Sequence, residues 1–187
     1  MTNVDLDSFS HGQIKSKLWL CQELEKYLPD NPKLTILGCW YNVLSFMLLT
    51  RNPDRYVSIT GIDIDSDAID IANKINNAFT IDDGLINHIT HDANNYSYIG
   101  TNVVINCSGE HMSSNKWFEN IPYGTIVCVQ SSNVIDTCYP WSVTNPSPDI
   151  DSFAGKYSLS KTYFLDILPI RYKHSQGYDR YMLIGIK

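Results

Sequence analysis

The sequence predicts a single α/β domain, a three-layer sandwich around a mostly parallel seven-stranded sheet with an antiparallel C-terminal strand. Two observations support this class. Short apolar runs alternate with helical patterns as far as Gln130, as in parallel sheets whose strands are buried on both faces. Two long β-patterned segments then flank the turn-like HSQGYD, which predicts an antiparallel pair. The domain is expected to span residues 1–187.

Length and charge limit the class of protein further. The chain has 187 residues, of which 43% are hydrophobic, and a formal net charge of −6. A chain of this length buries roughly 70% of the surface that its unfolded form exposes, so it can hold a core without disulfides. Its 14 Lys and Arg residues are scattered rather than clustered. Since phosphate backbones are bound by clustered cations, nucleic acid is an unlikely partner.

Cysteine usage and the N-terminus predict a cytoplasmic protein. The five cysteines form no CxxC pair and no cluster with histidine at zinc spacing, so no metal site is predicted. The N-terminal MTNVDLDSFS is acidic and polar, unlike a signal peptide, and no apolar run is long enough to span a membrane. No membrane partner is therefore expected.

Strand and helix patterns alternate in the first half of the chain. Apolar residues at helical spacing predict an N-terminal helix over about 10–28, with Ser10 and Gln13 as its capping box. A second helix, VLSFMLLT, has Asn42 in the position of its cap. Three strands are predicted in LTILG, YVSITGID and LINHIT. The third helix is predicted in DSDAIDIANKINNAF, between the second and third of these strands.

The second half begins with two strands and ends in the hairpin. VVINC and TIVCVQ are continuous apolar runs, and the short helical SSNKWFENI joins them. Another short helix is predicted in SPDIDSFAG, which begins with Ser-Pro and ends at glycine. KTYFLDILPIRY and RYMLIGIK then form the predicted antiparallel pair.

Ligands in open parallel sheets bind at the carboxyl ends of the strands, so the residues that follow each strand are the candidate site. Gly38 ends the first strand and leaves room for a ligand to approach the backbone. Asp63 ends the second, at an interval that resembles the roughly 20 residues that separate glycine and ribose-binding acid in nucleotide-binding domains. Asp92 follows the third strand. Each also has an ordinary alternative as a turn or helix-cap residue, and Asp65 is the better cap for the third helix.

These segments resemble the class I (Rossmann-like) S-adenosylmethionine-dependent methyltransferases over nearly the whole chain. The match lies in LTILGC, ITGIDIDSDAIDIA, HDA and the final YMLIGIK. The resemblance implies S-adenosylmethionine as cofactor, with Asp63 on the ribose, Asp92 near the adenine, close backbone approach at Gly38, and methyl transfer at the end of strand four. The cofactor-binding residues it implies are Gly38, Cys39, Trp40, Tyr41, Asp63, Ile64, Asp92, Ala93, Asn106 and Cys107.

The sequence departs from that family in two places. The glycine-rich GxGxG is reduced to GCWYN, with large side chains where small ones are customary. The strand-four segment INCSGEHM lacks the NPPY-type motif of amino-group methyltransferases, which argues against chemistry on a flipped base.

The candidate catalytic residues follow strand four. His111 is the base expected to take a proton from a hydroxyl or amine acceptor, since histidine titrates closest to neutral pH. Glu110 is expected to orient His111 or to hold a cationic acceptor. Trp40 or Tyr41 can face the sulfonium through a cation–π contact. The site for a small or medium-sized acceptor is predicted to be built from the N-terminal helix and the segment carrying Asn133, Tyr139 and Trp141. A second subunit of a homo-oligomer is a further candidate contributor.

Two other classes of function stay open from the sequence alone. The same cofactor can serve aminopropyl-type transfer or a lyase reaction, because a fold does not determine its chemistry. The chain can also be a non-catalytic nucleotide-binding or assembly module. A dinucleotide reductase is disfavoured because GCWYNV lacks the second and third glycines used to bind pyrophosphate. Surface or turn roles are predicted for the remaining histidines, His11, His88, His91 and His174.

Overall fold

A computed structural model describes residues 4–79, 84–135, 143–174 and 176–187. Its centre is a seven-stranded sheet in the order β3-β2-β1-β4-β5-β7-β6. The strands are β1 (Lys33–Leu37), β2 (Ser58–Asp63), β3 (Ile86–Thr90), β4 (Val103–Asn106), β5 (Ile126–Ser132), β6 (Lys161–Ile170) and β7 (Tyr178–Ile186).

The strand directions confirm the predicted fold class. Strands β1 to β5 pair in parallel, whereas β7 pairs antiparallel with both β5 and β6. The parallel strands carry the continuous apolar runs because helices cover both of their faces. The order reverses between β1 and β4, where the chain moves to the opposite half of the sheet. This reversal leaves a crevice at the carboxyl ends of the two strands.

Five helices flank the sheet in the described part of the chain. They are α1 (His11–Leu24), α2 (Val43–Arg51), α3 (Ser66–Asn77), α4 (Lys116–Asn120) and α5 (Ile150–Ala154). The N-terminal helix ends at Leu24, four residues before the predicted end at 28, and turns rather than helix follow. Within the described residues, no helix is both long and apolar enough to cross a membrane.

The predicted helix caps are confirmed only in part. The Ser10 hydroxyl accepts the backbone N–H of Gln13 as expected, but the Gln13 side chain accepts a hydrogen bond from Lys17 instead of closing the capping box. Asn42 precedes α2 but makes no side-chain cap bond, so that prediction is wrong. Its backbone is left-handed, with φ of 52°, whereas a capping residue is normally extended, and its side-chain amide lies 3.0 Å from His88 Nε2 instead. Asp65 caps α3, as predicted.

Two apolar clusters cover the two faces of the sheet. Because side chains alternate along a strand, Val103 and Ile105 belong to the cluster beneath α1 and α2, whereas Val104 belongs to the other. The second cluster is filled by aromatic side chains, chiefly Trp117 of α4 and Phe153 of α5, both completely buried. The packed layers hold the carboxyl edge of the sheet in place.

Candidate functional site

A cavity of about 720 Å³ opens at the carboxyl edge of the sheet, at the reversal between β1 and β4. Nine of the ten predicted cofactor residues line it, namely Gly38, Cys39, Trp40, Tyr41, Asp63, Ile64, Asp92, Ala93 and Cys107. The predicted catalytic residues Glu110 and His111 also line it. The fold therefore brings into one place residues that are far apart along the chain.

Asn106 is the predicted cofactor residue that does not line the cavity. Its side chain is completely buried, its Oδ1 accepts the Ser108 N–H at 2.9 Å, and its Nδ2 lies 3.3 Å from Met112 Sδ. As the last residue of β4 it is turned into the protein, where it shapes the loop that follows. The structure thus gives Asn106 a loop-supporting position rather than a ligand contact.

The loop after β1 has an unusual backbone. Gly38, Trp40 and Asn42 all have positive φ, of 57°, 51° and 52°. These are the positions that glycines occupy in GxGxG, and a left-handed conformation costs a non-glycine residue roughly 1–2 kcal/mol. A side chain at Gly38 would also lie 2.6 Å from Ser108 Cβ. The loop therefore keeps the shape of a glycine motif although two of the three glycines are absent.

The strain at Trp40 can be measured by comparing Trp40→Gly with Trp40→Ala. Both variants lose the same aromatic packing, but only alanine must still adopt positive φ with a β-carbon. We expect Trp40→Gly to be the more stable by about 1 kcal/mol in the free energy of unfolding, measured by urea denaturation. Equal stabilities would show that the loop relaxes when the indole is removed.

Asp63 stands at the β2 side of the cavity and organises two loops. Its Oδ2 accepts the Trp40 N–H at 2.8 Å, and its Oδ1 accepts the Asp65 N–H at 3.1 Å. Burial raises the pKa of the Asp63 carboxyl above its ordinary 3.8, although these backbone N–H groups oppose the shift. Within the described part of the chain, backbone amides rather than a cation are thus its hydrogen-bond partners. Such a carboxylate has capacity left to accept hydroxyl hydrogens.

Asp92 follows β3 and caps a short 3-10 turn, Ala93–Asn95, so it has the turn role that its sequence position also predicts. Its Oδ1 accepts the Asn94 backbone and side-chain N–H groups at 2.9 and 3.1 Å, and its Oδ2 accepts from Asn95 at 2.9 Å. Both oxygens are therefore already engaged. Since Asp92 still lines the cavity beside Ala93, its contact with an adenine stays a prediction.

His88 supports the loop after β1 from behind, a role that the sequence did not predict. It lies half-buried in β3, where its Nε2 is 3.0 Å from Asn42 Nδ2 and its Nδ1 is 2.9 Å from Asn73 Oδ1. Asn42 then donates and Asn73 accepts, so the ring is neutral with its proton on Nδ1. Burial lowers the pKa of His88 below its ordinary 6.5. The predicted surface or turn role is wrong for this histidine.

Glu110 forms an ion pair that joins the loop after β4 to strand β7. Its Oε1 accepts a hydrogen bond from Arg180 Nη1 of β7, while Arg180 Nη2 donates to the Cys107 carbonyl at 2.7 Å. Glu110 and Arg180 are 4% and 8% exposed, so this pair lies inside the protein. Glu110 Oε2 is also buried and has no hydrogen-bond partner among the described residues. This geometry assigns Glu110 to holding the loop after β4, and it offers no support for a direct contact with the acceptor.

His111 is exposed and lies at the end of that loop, on the wall of the cavity. Its position is compatible with proton transfer, and its catalytic role stays a prediction.

Burial raises the pKa of the Cys39 and Cys107 thiols above the ordinary value, so both remain uncharged near neutral pH. Among the described residues, no three His, Cys, Asp or Glu side chains are grouped in a way that could hold a metal ion.

Lys17 and Arg180 are cavity residues that sequence reasoning missed. Arg180 had a recognisable signal, because a single arginine in the apolar strand RYMLIGI implies a buried partner. Lys17 had none, since a lysine within an N-terminal helix is usually solvated.

Asn133, predicted as an acceptor contact, instead exchanges hydrogen bonds with the backbone of Asp179. Tyr139 and Trp141 lie outside the described residues.

The strand order, the reversed last strand and the cavity at the β1–β4 reversal together define the fold of the class I S-adenosylmethionine-dependent methyltransferases. Solved structures agree. Magnesium protoporphyrin IX methyltransferase (ChlM) from Synechocystis PCC 6803, with bound S-adenosylhomocysteine, is 13% identical with a TM-score of 0.68, covering 100% of this chain and 89% of that one. The N-methyltransferase NodS from Bradyrhizobium japonicum WM9, in complex with S-adenosylhomocysteine, is 12% identical with a TM-score of 0.66, covering 96% and 90%.

A third structure, the YcgJ protein from Bacillus subtilis, is 10% identical with a TM-score of 0.69 and covers 92% of this chain and 98% of that one. At these identities the likeness establishes the fold. No family profile matches the sequence, and no curated protein matches it either.

Proposed function

We propose that this protein is a methyltransferase that moves a methyl group from S-adenosylmethionine to a small or medium-sized acceptor. The observation that carries the proposal is the partly buried Asp63 carboxylate, held by the N–H groups of Trp40 and Asp65 beside the left-handed loop after β1. A carboxylate in this setting is suited to the two hydroxyls of a ribose. The loop backbone at Gly38 lines the cavity next to this carboxylate.

The cavity residues suggest how the cofactor would lie. Asp63 would hold the ribose, and Ile64, whose side chain is 76% exposed, would cover one face of the adenine. Ala93 lies nearby on the cavity wall. The amino-acid part would then extend past Gly38 toward Cys107, since β4 lies on the other side of β1 from β2.

Methyl transfer from a sulfonium needs alignment more than covalent help. The cofactor supplies the activated methyl group, and the protein must hold the acceptor atom about 3–3.5 Å away and in line. His111 lines the cavity after β4, where it can take the acceptor's proton. The Glu110–Arg180 pair anchors the loop that carries His111, so it acts by positioning rather than by contact. Cytoplasmic location, a homo-oligomer and the exclusion of nucleic acid stay predictions.

Ligand binding and product analysis test this function. We expect S-adenosylhomocysteine to bind in calorimetry and, at 100 times its dissociation constant, to stabilise the protein by about 2.7 kcal/mol. Incubation with S-adenosylmethionine and a panel of small hydroxyl and amine acceptors should yield S-adenosylhomocysteine. Accumulation of methylthioadenosine would indicate aminopropyl-type transfer or cleavage instead. Absence of any binding would favour a non-catalytic module.

A further inference from the structure

Lys17 occupies the cavity wall on the β4 side. It lies on α1, which is fastened to the sheet where Gln130 of β5 donates to the Ser16 carbonyl at 3.1 Å. Lys17 and Gln13, one helical turn apart, both line the cavity, and Lys17 Nζ donates to Gln13 Oε1. In the described part of the chain this is the one acceptor for Nζ, which leaves two of its three donors for another group.

The electrostatic setting of Lys17 is that of a cation without a matched anion. Within the described residues its amino group forms no salt bridge, whereas Arg180, the neighbouring cation, is paired with Glu110. Burial and the charge of Arg180 lower the pKa of Lys17, which lies at about 8, while Cys107, Asp7 and Cys21 act in the opposite direction. A half-buried ammonium in this state is stabilised by an anion that enters the cavity.

We propose that Lys17, together with the side-chain amide of Gln13, forms a binding subsite for an anionic group of a ligand held in this cavity. This inference rests on the proposed function and deepens it, because it names a chemical feature of what binds beyond the cofactor's sugar. A carboxylate or phosphate can accept the two remaining Nζ donors, and Gln13 Nε2 adds another donor. The anion belongs either to the amino-acid part of the cofactor or to the acceptor.

The subsite has a defined pH dependence. Only protonated Lys17 attracts an anion, so affinity is full below pH about 8 and falls as the pH rises through that value. The two thiols and the guanidinium that face Lys17 do not titrate there. Burial raises the pKa of Cys21 to about 12 and that of Cys107 above 9.0, and Arg180 stays charged. Asp7, from the N-terminal turn, is the remaining charged neighbour.

The test uses Lys17→Met and Lys17→Arg, with Lys15→Met as the control. Lys15 lies on the same helix but bonds the Pro169 carbonyl and does not line the cavity. In the first arm, calorimetry compares S-adenosylhomocysteine with methylthioadenosine, which lacks the carboxylate. In the second arm, benzoate and inorganic phosphate are titrated into protein saturated with S-adenosylhomocysteine.

If Lys17→Met lowers S-adenosylhomocysteine affinity by roughly 10- to 100-fold, the worth of one charge-assisted hydrogen bond, and leaves methylthioadenosine binding unchanged, the cofactor carboxylate occupies the subsite. If Lys17→Met binds S-adenosylhomocysteine as the wild type does but no longer binds benzoate or phosphate, the subsite holds an anionic group of the acceptor. Lys17→Arg should bind like the wild type at pH 7 and lose the decline above pH 8, whereas Lys15→Met should match the wild type throughout.

The inference is overturned if Lys17→Met changes neither S-adenosylhomocysteine affinity nor anion binding, while the wild type binds S-adenosylhomocysteine normally. If the wild type binds neither S-adenosylhomocysteine nor methylthioadenosine, the proposed function itself fails. The two failures are therefore distinguishable. Circular dichroism of each variant shows whether it is folded.

Discussion

Replacing Asp63 with alanine is expected to weaken S-adenosylhomocysteine binding by at least about 100-fold, because two hydrogen bonds to a charged acceptor contribute roughly 1.5–3 kcal/mol each. The substitution also leaves the N–H groups of Trp40 and Asp65 without their acceptor, which loosens the loop that follows β1. The affinity of Asp63→Asn should lie between those of the wild type and Asp63→Ala, because the amide of asparagine keeps one acceptor oxygen. Calorimetric titration of each variant measures the effect.

Asp70→Ala is the matched control for this substitution. Asp70 is an exposed aspartate on α3 that does not line the cavity, so its loss should leave affinity unchanged. Unaltered binding by a folded Asp63→Ala protein would contradict the ribose assignment and, with it, the proposed function.

Affinity should also depend on pH through Asp63. Burial raises the pKa of its carboxyl above 3.8, so on acidification it becomes protonated before an exposed aspartate would. The neutral acid accepts hydrogen bonds less well than the carboxylate. Affinity is therefore full at neutral pH and falls as the pH drops through the raised value. Asp63→Asn should lack this dependence.

The second large effect is expected at the buried Glu110–Arg180 pair. Removing one partner leaves an uncompensated buried charge, so Arg180→Met should lower the free energy of unfolding by about 3–5 kcal/mol. Glu110→Gln keeps the shape of the side chain and strands the Arg180 charge. We expect the double variant, Glu110→Gln with Arg180→Met, to lose much less free energy of unfolding than the two single variants lose in sum. Urea denaturation of the four proteins completes the cycle.

Additive losses in that cycle would mean that the two side chains do not depend on each other, contrary to the contact seen between Oε1 and Nη1. Arg180→Met also removes the bond to the Cys107 carbonyl, so the loop after β4 should become more mobile. If Glu110 acts by positioning His111, the double variant should recover stability without recovering the full rate of methyl transfer.

Much of the fold was predictable because its signals are local. Apolar runs such as VVINC specify strands buried on both faces, and the carboxyl edge of a parallel sheet must gather the residues that follow each strand. This is why Gly38 and Asp63 were placed correctly at the cavity from the sequence.

Other features needed distant parts of the chain to meet. The pairing of Glu110 with Arg180 joins residues 70 positions apart, and His88 reaches Asn42 from a strand two places away in the sheet. Side-chain direction at a strand end is also set by packing, which is why Asn106 turned inward. No periodicity or spacing carries such information.

The sequence by itself determined the class of fold, the edge of the sheet where the cavity lies, and the presence of Asp63 on its wall, because strand periodicity and strand ends are local properties. The tertiary structure decided which charges face the cavity. Lys17 lines it because α1 docks beside β5, and Glu110 is paired because Arg180 meets it from β7. Burial and pairing of charges depend on what the folded chain brings together, and those contacts are long-range.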